Sequence, residues 1–312
     1  IVEKENMWGD RSVLVTGGAG FIGSWLAHAL LQRGARVIIL DKKEGIPRLG
    51  ELEEKLKSGA IYISGDVRDG ALLSQLFEKH KVKTVFHLAA EALVGRAHEN
   101  PMEALDTNVR GTWTVLEVCR QKSPEAEIVI ASSDKAYGTH AELPYREDFP
   151  LLGENPYDCS KSAADRIALM YAKTYGVCLA ITRCGNVYGG GDINFSRLIP
   201  DTIRALFFNR KPEIRSDGLY RRDYVHVDDI VNAYIRTAEA LIKKEIKAGD
   251  AFNFGTSTPR TALEVVQSIT ALMGREVHPV ILATARYEIR DQYLDSAKAR
   301  ETLGWAPAVE FE

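Results

Sequence analysis

The chain has 312 residues, 45% of them hydrophobic and 27% charged, with a formal net charge of -3. Such a length buries a full core and divides into two unequal lobes, and so small a charge excess leaves no footprint for nucleic acid or an anionic membrane surface. No apolar run approaches the ~18 residues of a membrane span, no secretory leader is recognisable, and Cys119, Cys159, Cys178 and Cys184 lack metal-ligand spacing, as expected of reduced thiols in a cytoplasmic protein that holds no metal.

The first element is an apolar run at 13–15 that enters Thr16-Gly17-Gly18-Ala19-Gly20-Phe21-Ile22-Gly23 and then a helical pattern. Gly17 and Gly18 can take backbone angles closed to other residues, Gly20 lets a pyrophosphate approach the main chain, and Gly23 lets helix and strand pack closely. The amides at the start of Ser24-Trp25-Leu26-Ala27-His28-Ala29-Leu30 then face the phosphates at the positive end of the helix dipole, with Phe21 and Ile22 of the turn also expected at the cofactor. A second apolar run at 37–40 ends on Asp41, about 20 residues on, as the dinucleotide fingerprint requires. A carboxylate there accepts both ribose hydroxyls of NAD and repels the 2'-phosphate of NADP, so NAD is the expected cofactor, with Lys42 and Lys43 the basic pair that could oppose that choice.

Further apolar, β-branched runs follow at 61–64, 85–88, 128–131 and 177–182, separated by helical patterns. Runs apolar throughout read as parallel strands covered on both faces, hence an α/β, doubly wound Rossmann sheet. Charge-rich stretches at 48–57 and 243–247 read as solvated helix faces. Beyond Arg183 the pattern loosens, with helices expected at 198–207, 228–241 and 261–273. The expected organisation is a nucleotide domain over 1–184, a smaller substrate-facing lobe over 185–312, and a segment near 220–240 that returns to the large sheet. Ligands in such sheets sit beyond the carboxyl ends of the strands. Asp66 and Val67, then Ala89, Ala90 and Glu91, then 132–135, therefore converge on one crevice.

Tyr157 alone among the twelve tyrosines has a lysine four residues later, Lys161. On a helix that spacing shares a face, where an ammonium would stabilise a phenolate and lower the phenol's pKa, with Ser133 adding a hydroxyl. The result is a base suited to a sugar hydroxyl whose carbon loses hydrogen to NAD.

Together these motifs resemble the extended short-chain dehydrogenase/reductase family of NAD-dependent nucleotide-sugar epimerases and dehydratases. The resemblance runs from the glycine turn to Leu294-Asp295-Ser296-Ala297-Lys298-Ala299 and Leu303-Gly304-Trp305. It implies that Ser133, Tyr157 and Lys161 form the catalytic triad and that Asn108 braces the active-site helix through its main chain. It also implies a homodimer through the helices carrying Asn108 and Tyr157. Asn186, Arg222 and Arg286 match positions that hold the diphosphate of a sugar nucleotide, and Glu91 and Arg197 are placed with them on the substrate side.

The reaction turns on Asp134 and Lys135. In 4-epimerases these two positions are usually small or apolar, whereas 4,6-dehydratases carry an acid and a base because water leaves across C5 and C6. Ser133-Asp134-Lys135 is similar to CDP-glucose 4,6-dehydratases, as are Gly23-Ser24-Trp25-Leu26, Ala90-Glu91-Ala92-Leu93-Val94 and Gly189-Gly190-Gly191-Asp192. The expected reaction converts a nucleoside-diphosphate hexose, CDP-glucose first and dTDP-glucose or GDP-mannose next, to the 4-keto-6-deoxy sugar. Two alternatives stay open: a 4-epimerase such as one acting on UDP-glucose, and a non-catalytic dinucleotide sensor.

Overall fold

The computed structural model describes residues 6–42, 51–285 and 288–312. Seven parallel strands form the central sheet: β1 (Ser12–Thr16), β2 (Arg36–Asp41), β3 (Ile61–Ser64), β4 (Thr84–His87), β5 (Glu127–Ser133), β6 (Leu179–Cys184) and β7 (Ala251–Phe254). Their order across the sheet is β7-β6-β5-β4-β1-β2-β3, and every neighbouring pair runs parallel. The chain reverses direction across the sheet between β1 and β4, which opens a crevice at their carboxyl ends.

Alternation along each strand explains why the runs are apolar without interruption. Val13, Val15, Val37, Ile39, Phe86, Val129 and Ala180 join one core, while Leu14, Ile38, Leu40, Val85, Ile128, Ile130 and Ile181 join another. Successive side chains point to opposite faces, so a strand with a core on both sides has no polar face to show. The helices Phe21–Gln32 and Val227–Ile242 supply the first core; Gly70–His80, Gly111–Lys122 and Pro156–Tyr175 supply the second.

The six expected strands are all present, and helices Leu198–Phe207, Val227–Ile242 and Ala262–Leu272 match the three expected beyond Arg183. Four details differ. The segment near 220–240 returns as the helix Val227–Ile242 on the sheet's face, while its short strand Tyr224–His226 pairs with Asn186–Tyr188 outside the central sheet. The added strand is β7, whose polar Asn253 is wholly buried and whose amide group is satisfied by Tyr145 and Tyr137, so its sequence lacks an apolar signature. Strand β6 runs on through Arg183 because that charge is neutralised internally. Residues 243–247 lie beyond the end of Val227–Ile242, where Lys244 takes the left-handed φ of 58°, so they form a turn and not a helix face. Of the stretch 48–57, residues 48–50 lie outside the described residues and the rest opens the helix Glu51–Gly59. Among the described residues no helix is long and apolar enough to cross a membrane, and no cluster of metal ligands occurs.

Candidate active site

The glycine turn is shaped by contacts that a side chain would destroy. Gly17 has φ +71°, and a Cβ on it would lie 2.7 Å from the Ala89 amide nitrogen. A Cβ on Gly23 would lie 2.2 Å from the Gly17 carbonyl oxygen. Gly18, by contrast, has an ordinary φ; it is confined by the Ile39 side chain, not by its backbone angle. Around Gly20 a Cβ would meet only the Gly17 carbonyl within 4 Å, so the turn is open in front. Gly20 is the N-cap of Phe21–Gln32, no side chain caps that first turn and no acid stands in it. Open backbone amides at the positive end of a helix make an anion cradle, and Phe21 and Ile22 are its first two residues. These residues fit the pyrophosphate of a dinucleotide.

At the end of β2 the Asp41 carboxylate accepts the Ala19 amide at 3.0 Å and stays partly exposed, in reach of a ribose beside the cradle. Lys42 is turned to Glu103 at 3.0 Å and Asp66 at 3.4 Å. Lys43 lies outside the described residues. Asp66 is gripped by Arg68 at 2.6 Å; burial would raise its pKa, but the Arg68 hydrogen bonds outweigh burial and hold it at about 2. The neighbouring Val67 is buried, and Ala89 and Ala90 flank the glycine turn half-buried. The Glu91 carboxylate is committed locally, to the Leu93 amide at 3.2 Å and Arg96 at 3.4 Å.

A π-helical turn, Asp106–Arg110, presents Asn108. Such single turns occur often at functional sites. Asn108 Nδ2 donates to Ser160 Oγ at 2.8 Å and to the Glu91 carbonyl at 3.1 Å, and Oδ1 accepts the Glu91 amide at 2.7 Å. The brace on the helix Pro156–Tyr175 is thus the Asn108 side chain, where a main-chain contact was expected.

Ser133 ends β5, the longest strand of the sheet, and caps the short 3-10 turn Asp134–Tyr137. Its hydroxyl donates to Asp134 Oδ1 at 3.0 Å. Asp134 is 1% exposed; its Oδ1 also meets Lys135 Nζ at 3.6 Å, while its Oδ2 has no hydrogen-bond partner among the described residues. Lys135 Nζ donates further to Asn186 Oδ1 and Gln292 Oε1, each at 3.4 Å. Tyr157 and Lys161 lie one turn apart on Pro156–Tyr175, both buried.

Burial pushes the Tyr157 phenol's pKa up, and a hydrogen bond with Ser133 partly counters it. Lys161 does not perform the expected depression of that pKa here, because its Nζ donates to the Ala131 carbonyl at 2.9 Å. Burial lowers the pKa of this amine to about 8. Behind it His87 is wholly buried between Thr16 Oγ1 at 2.8 Å and Thr112 Oγ1 at 3.1 Å, and burial lowers its pKa to about 3.

The residues beyond Arg183 that were expected on the substrate side lie on segments outside the central sheet. Arg197 pairs with the buried Asp192 at 3.0 Å and lies in electrostatic reach of Tyr157. Arg222 donates to the Arg221 and Arg290 carbonyls at 2.9 Å and approaches Glu288 at 3.8 Å. Arg286 lies outside the described residues. Sequence reasoning missed Gln292, which is 1% exposed and pinned by the two-residue strand Asp291–Gln292 alongside Arg221–Arg222. It also missed Asp158, buried against Lys135 and held by Asn155 Nδ2 at 3.3 Å. Neither stands in a spacing that marks it. Trp25 gives the Gly23-Ser24-Trp25-Leu26 and Gly189-Gly190-Gly191 segments a common reason, since its indole donates to the Gly190 carbonyl at 2.7 Å.

The family model described as GDP-mannose 4,6 dehydratase matches residues 14–312. A dTDP-glucose 4,6-dehydratase of Xanthomonas campestris pv. campestris is 33% identical over 96% of this chain and 89% of its own. A CDP-glucose 4,6-dehydratase of Salmonella typhimurium is 33% identical over 97% of this chain and 88% of its own. Among solved structures, a dTDP-glucose 4,6-dehydratase of Bacillus anthracis in complex with NAD superposes with a TM-score of 0.82 at 31% identity, covering 97% and 93% of the two chains. A UDP-glucose 4-epimerase of Thermotoga maritima with UDP-glucose gives 0.87 at 29% identity, covering 96% and 94%.

Proposed function

Because the chain belongs to the GDP-mannose 4,6-dehydratase family, we propose that it is an NAD-dependent lyase converting a nucleoside-diphosphate hexose into the 4-keto-6-deoxy product, with CDP-glucose or dTDP-glucose ahead of GDP-mannose as substrate. The observation that carries the reading is the free, buried Oδ2 of Asp134 beside Ser133 and within electrostatic reach of the Tyr157 phenol. A 4-epimerase needs no acid there; an elimination does.

Gly17, Gly20, Phe21, Ile22 and Gly23 hold the pyrophosphate of NAD, Asp41 takes its adenosine ribose, and Asp66, Val67, Ala89 and Ala90 flank the remainder. NAD, when bound, accepts the hydrogen at C4 and returns it at C6. Tyr157 removes the O4 proton, a task for which its raised pKa calls for charge nearby; Lys161 is the ammonium that supplies it once Nζ turns from Ala131. Ser133 orients the hydroxyl, and Asp134 delivers a proton to the leaving O6. Asn186, Arg197, Arg222 and Arg286 hold the diphosphate and sugar, and Glu91 shapes the loop above them. The working form is a cytoplasmic homodimer in which the helices bearing Asn108 and Tyr157 meet; Met102 and Trp113, 73% and 43% exposed, supply its apolar contact.

The epimerase reading is supported by the TM-score of 0.87 with the Thermotoga enzyme and by 31% identity to a UDP-glucose 4-epimerase of Halalkalibacterium halodurans. Incubation with CDP-, dTDP-, GDP- and UDP-hexoses and mass analysis of the products separates the two. The lyase reading expects a product one water lighter; unchanged mass with inversion at C4 would replace it with an isomerase.

A further inference from the structure

We propose that Asp134 performs both proton transfers of the elimination and that Lys135, clamped by Asn186 and Gln292, is a positioning residue and not the base at C5. The proposal rests on the dehydratase reading above.

The two oxygens of Asp134 are unequal. Oδ1 is occupied twice, by the Ser133 hydroxyl at 3.0 Å and Lys135 Nζ at 3.6 Å. Oδ2 is buried and, among the described residues, meets no donor. A buried carboxylate oxygen left without a donor is costly to fold around, and a reacting group is the partner that justifies it.

Lys135 has the opposite environment. Its Nζ meets only acceptors: Asp134 Oδ1 at 3.6 Å, Asn186 Oδ1 and Gln292 Oε1 at 3.4 Å each. The second carboxylate, Asp158, is 4% exposed and adds its charge to the same amine. Two acceptors take N–H bonds of the amine and a carboxylate oxygen lies just beyond hydrogen-bond distance, whereas a base needs a free lone pair facing the substrate. The clamp also joins the two lobes, since Asp134 and Lys135 follow β5 whereas Gln292 belongs to the strand beside Arg222.

With the amine excluded, one oxygen serves both adjacent carbons. After C4 is oxidised the C5 proton is acidic. Asp134 Oδ2 takes it, and the C5–H electron pair enters the enolate. The carboxyl then gives that proton to O6; the C6–O bond breaks with its electron pair on oxygen, water leaves, and the C5–C6 double bond closes. Asp134 ends this half-reaction as the carboxylate it began as, with no further reactant needed.

Lys135→Arg tests the assignment, because a guanidinium keeps the positive charge and cannot act as a base. With CDP-glucose and dTDP-glucose in deuterated water, the variant should dehydrate within about tenfold of the parent rate and place solvent deuterium at C5. A loss of ~100-fold or more, with reduced cofactor accumulating and no deuterium at C5, would overturn the proposal. Should Lys135→Arg fold poorly, Lys135→Met carries the test: slow C5 exchange supports it, and absent exchange with intact C4 oxidation refutes it. Gln292→Leu should lower kcat with KM unchanged; an effect on KM alone contradicts the clamp. If the unmodified protein oxidises C4 but yields no water-depleted product, the lyase reading and this proposal fall together, which differs from a defect seen only in the variants.

Discussion

Two ion pairs, each with a buried carboxylate, stand at the ends of adjacent strands and differ in how completely they are satisfied. On β6, Arg183 holds Asp165 through Nε at 2.9 Å and Nη2 at 3.0 Å, and its Nη1 donates to the Tyr137 hydroxyl at 2.8 Å and the Glu147 carbonyl at 3.2 Å. Beyond β5, Asp134 and Lys135 approach only to 3.6 Å, and among the described residues Asp134 Oδ2 has no hydrogen-bond partner. Both carboxylates are buried, Asp165 at 2% and Asp134 at 1% exposed. A network with every donor and acceptor matched rigidifies a fold, whereas one that keeps an oxygen free retains capacity for a substrate. Exposure and charge alone do not distinguish the two sites; the hydrogen-bond inventory does.

The largest effect should follow from breaking the satisfied pair. Arg183→Met strands a carboxylate that is 2% exposed, and loss of one partner from such a pair typically costs ~3 to 5 kcal/mol. Urea unfolding should show it, and adding Asp165→Leu should recover much of the loss. A change below ~1 kcal/mol would erase the contrast drawn above.

At Asp41 one oxygen accepts the Ala19 amide and the residue is partly exposed beside the glycine turn. Asp41→Ala should narrow the preference for NAD over NADP by ~1.5 to 3 kcal/mol, read by titration of both dinucleotides. Equal affinities in the parent would remove Asp41 from the cofactor site.

The smallest effect is on stability at Lys161. Its pKa falls from 10.5 to about 8 through burial, so below about pH 8 the folded protein bears a desolvated ammonium, and the cost fades as pH rises from 8 to 10.5. Lys161→Met should therefore raise stability by ~1 to 3 kcal/mol at neutral pH, with the gain shrinking above pH 8, while C4 oxidation is lost. Thermal melts across that range check the sign; a gain that grows with pH would contradict it.

Much of this was legible in the sequence because local rules governed it. Strands with a core on both faces must be apolar throughout, and a turn that closes on Ala89 and an approaching helix must be glycine, so both left patterns. Tyr157 and Lys161 were found by their spacing. Strand β7, Gln292, Asp158 and the Asn108 side chain were not legible, because each matters through a contact made over more than about fifty residues or within a loop of no fixed period. Pairing decided the rest: Arg183 ended the apolar run until Asp165 supplied its partner, and Lys135 is met by Asn186 and Gln292, both far from it in sequence.

The most direct test of the account is Asp134→Asn. The substitution keeps the Ser133 contact available but removes the carboxylate that the elimination requires. With CDP-glucose or dTDP-glucose, the account predicts that C4 oxidation persists, that reduced cofactor accumulates by its near-ultraviolet absorbance, and that water-depleted product falls by ~100 to 10,000-fold. Undiminished product, or C4 interconversion that proceeds equally well in parent and variant with no water lost, would contradict it.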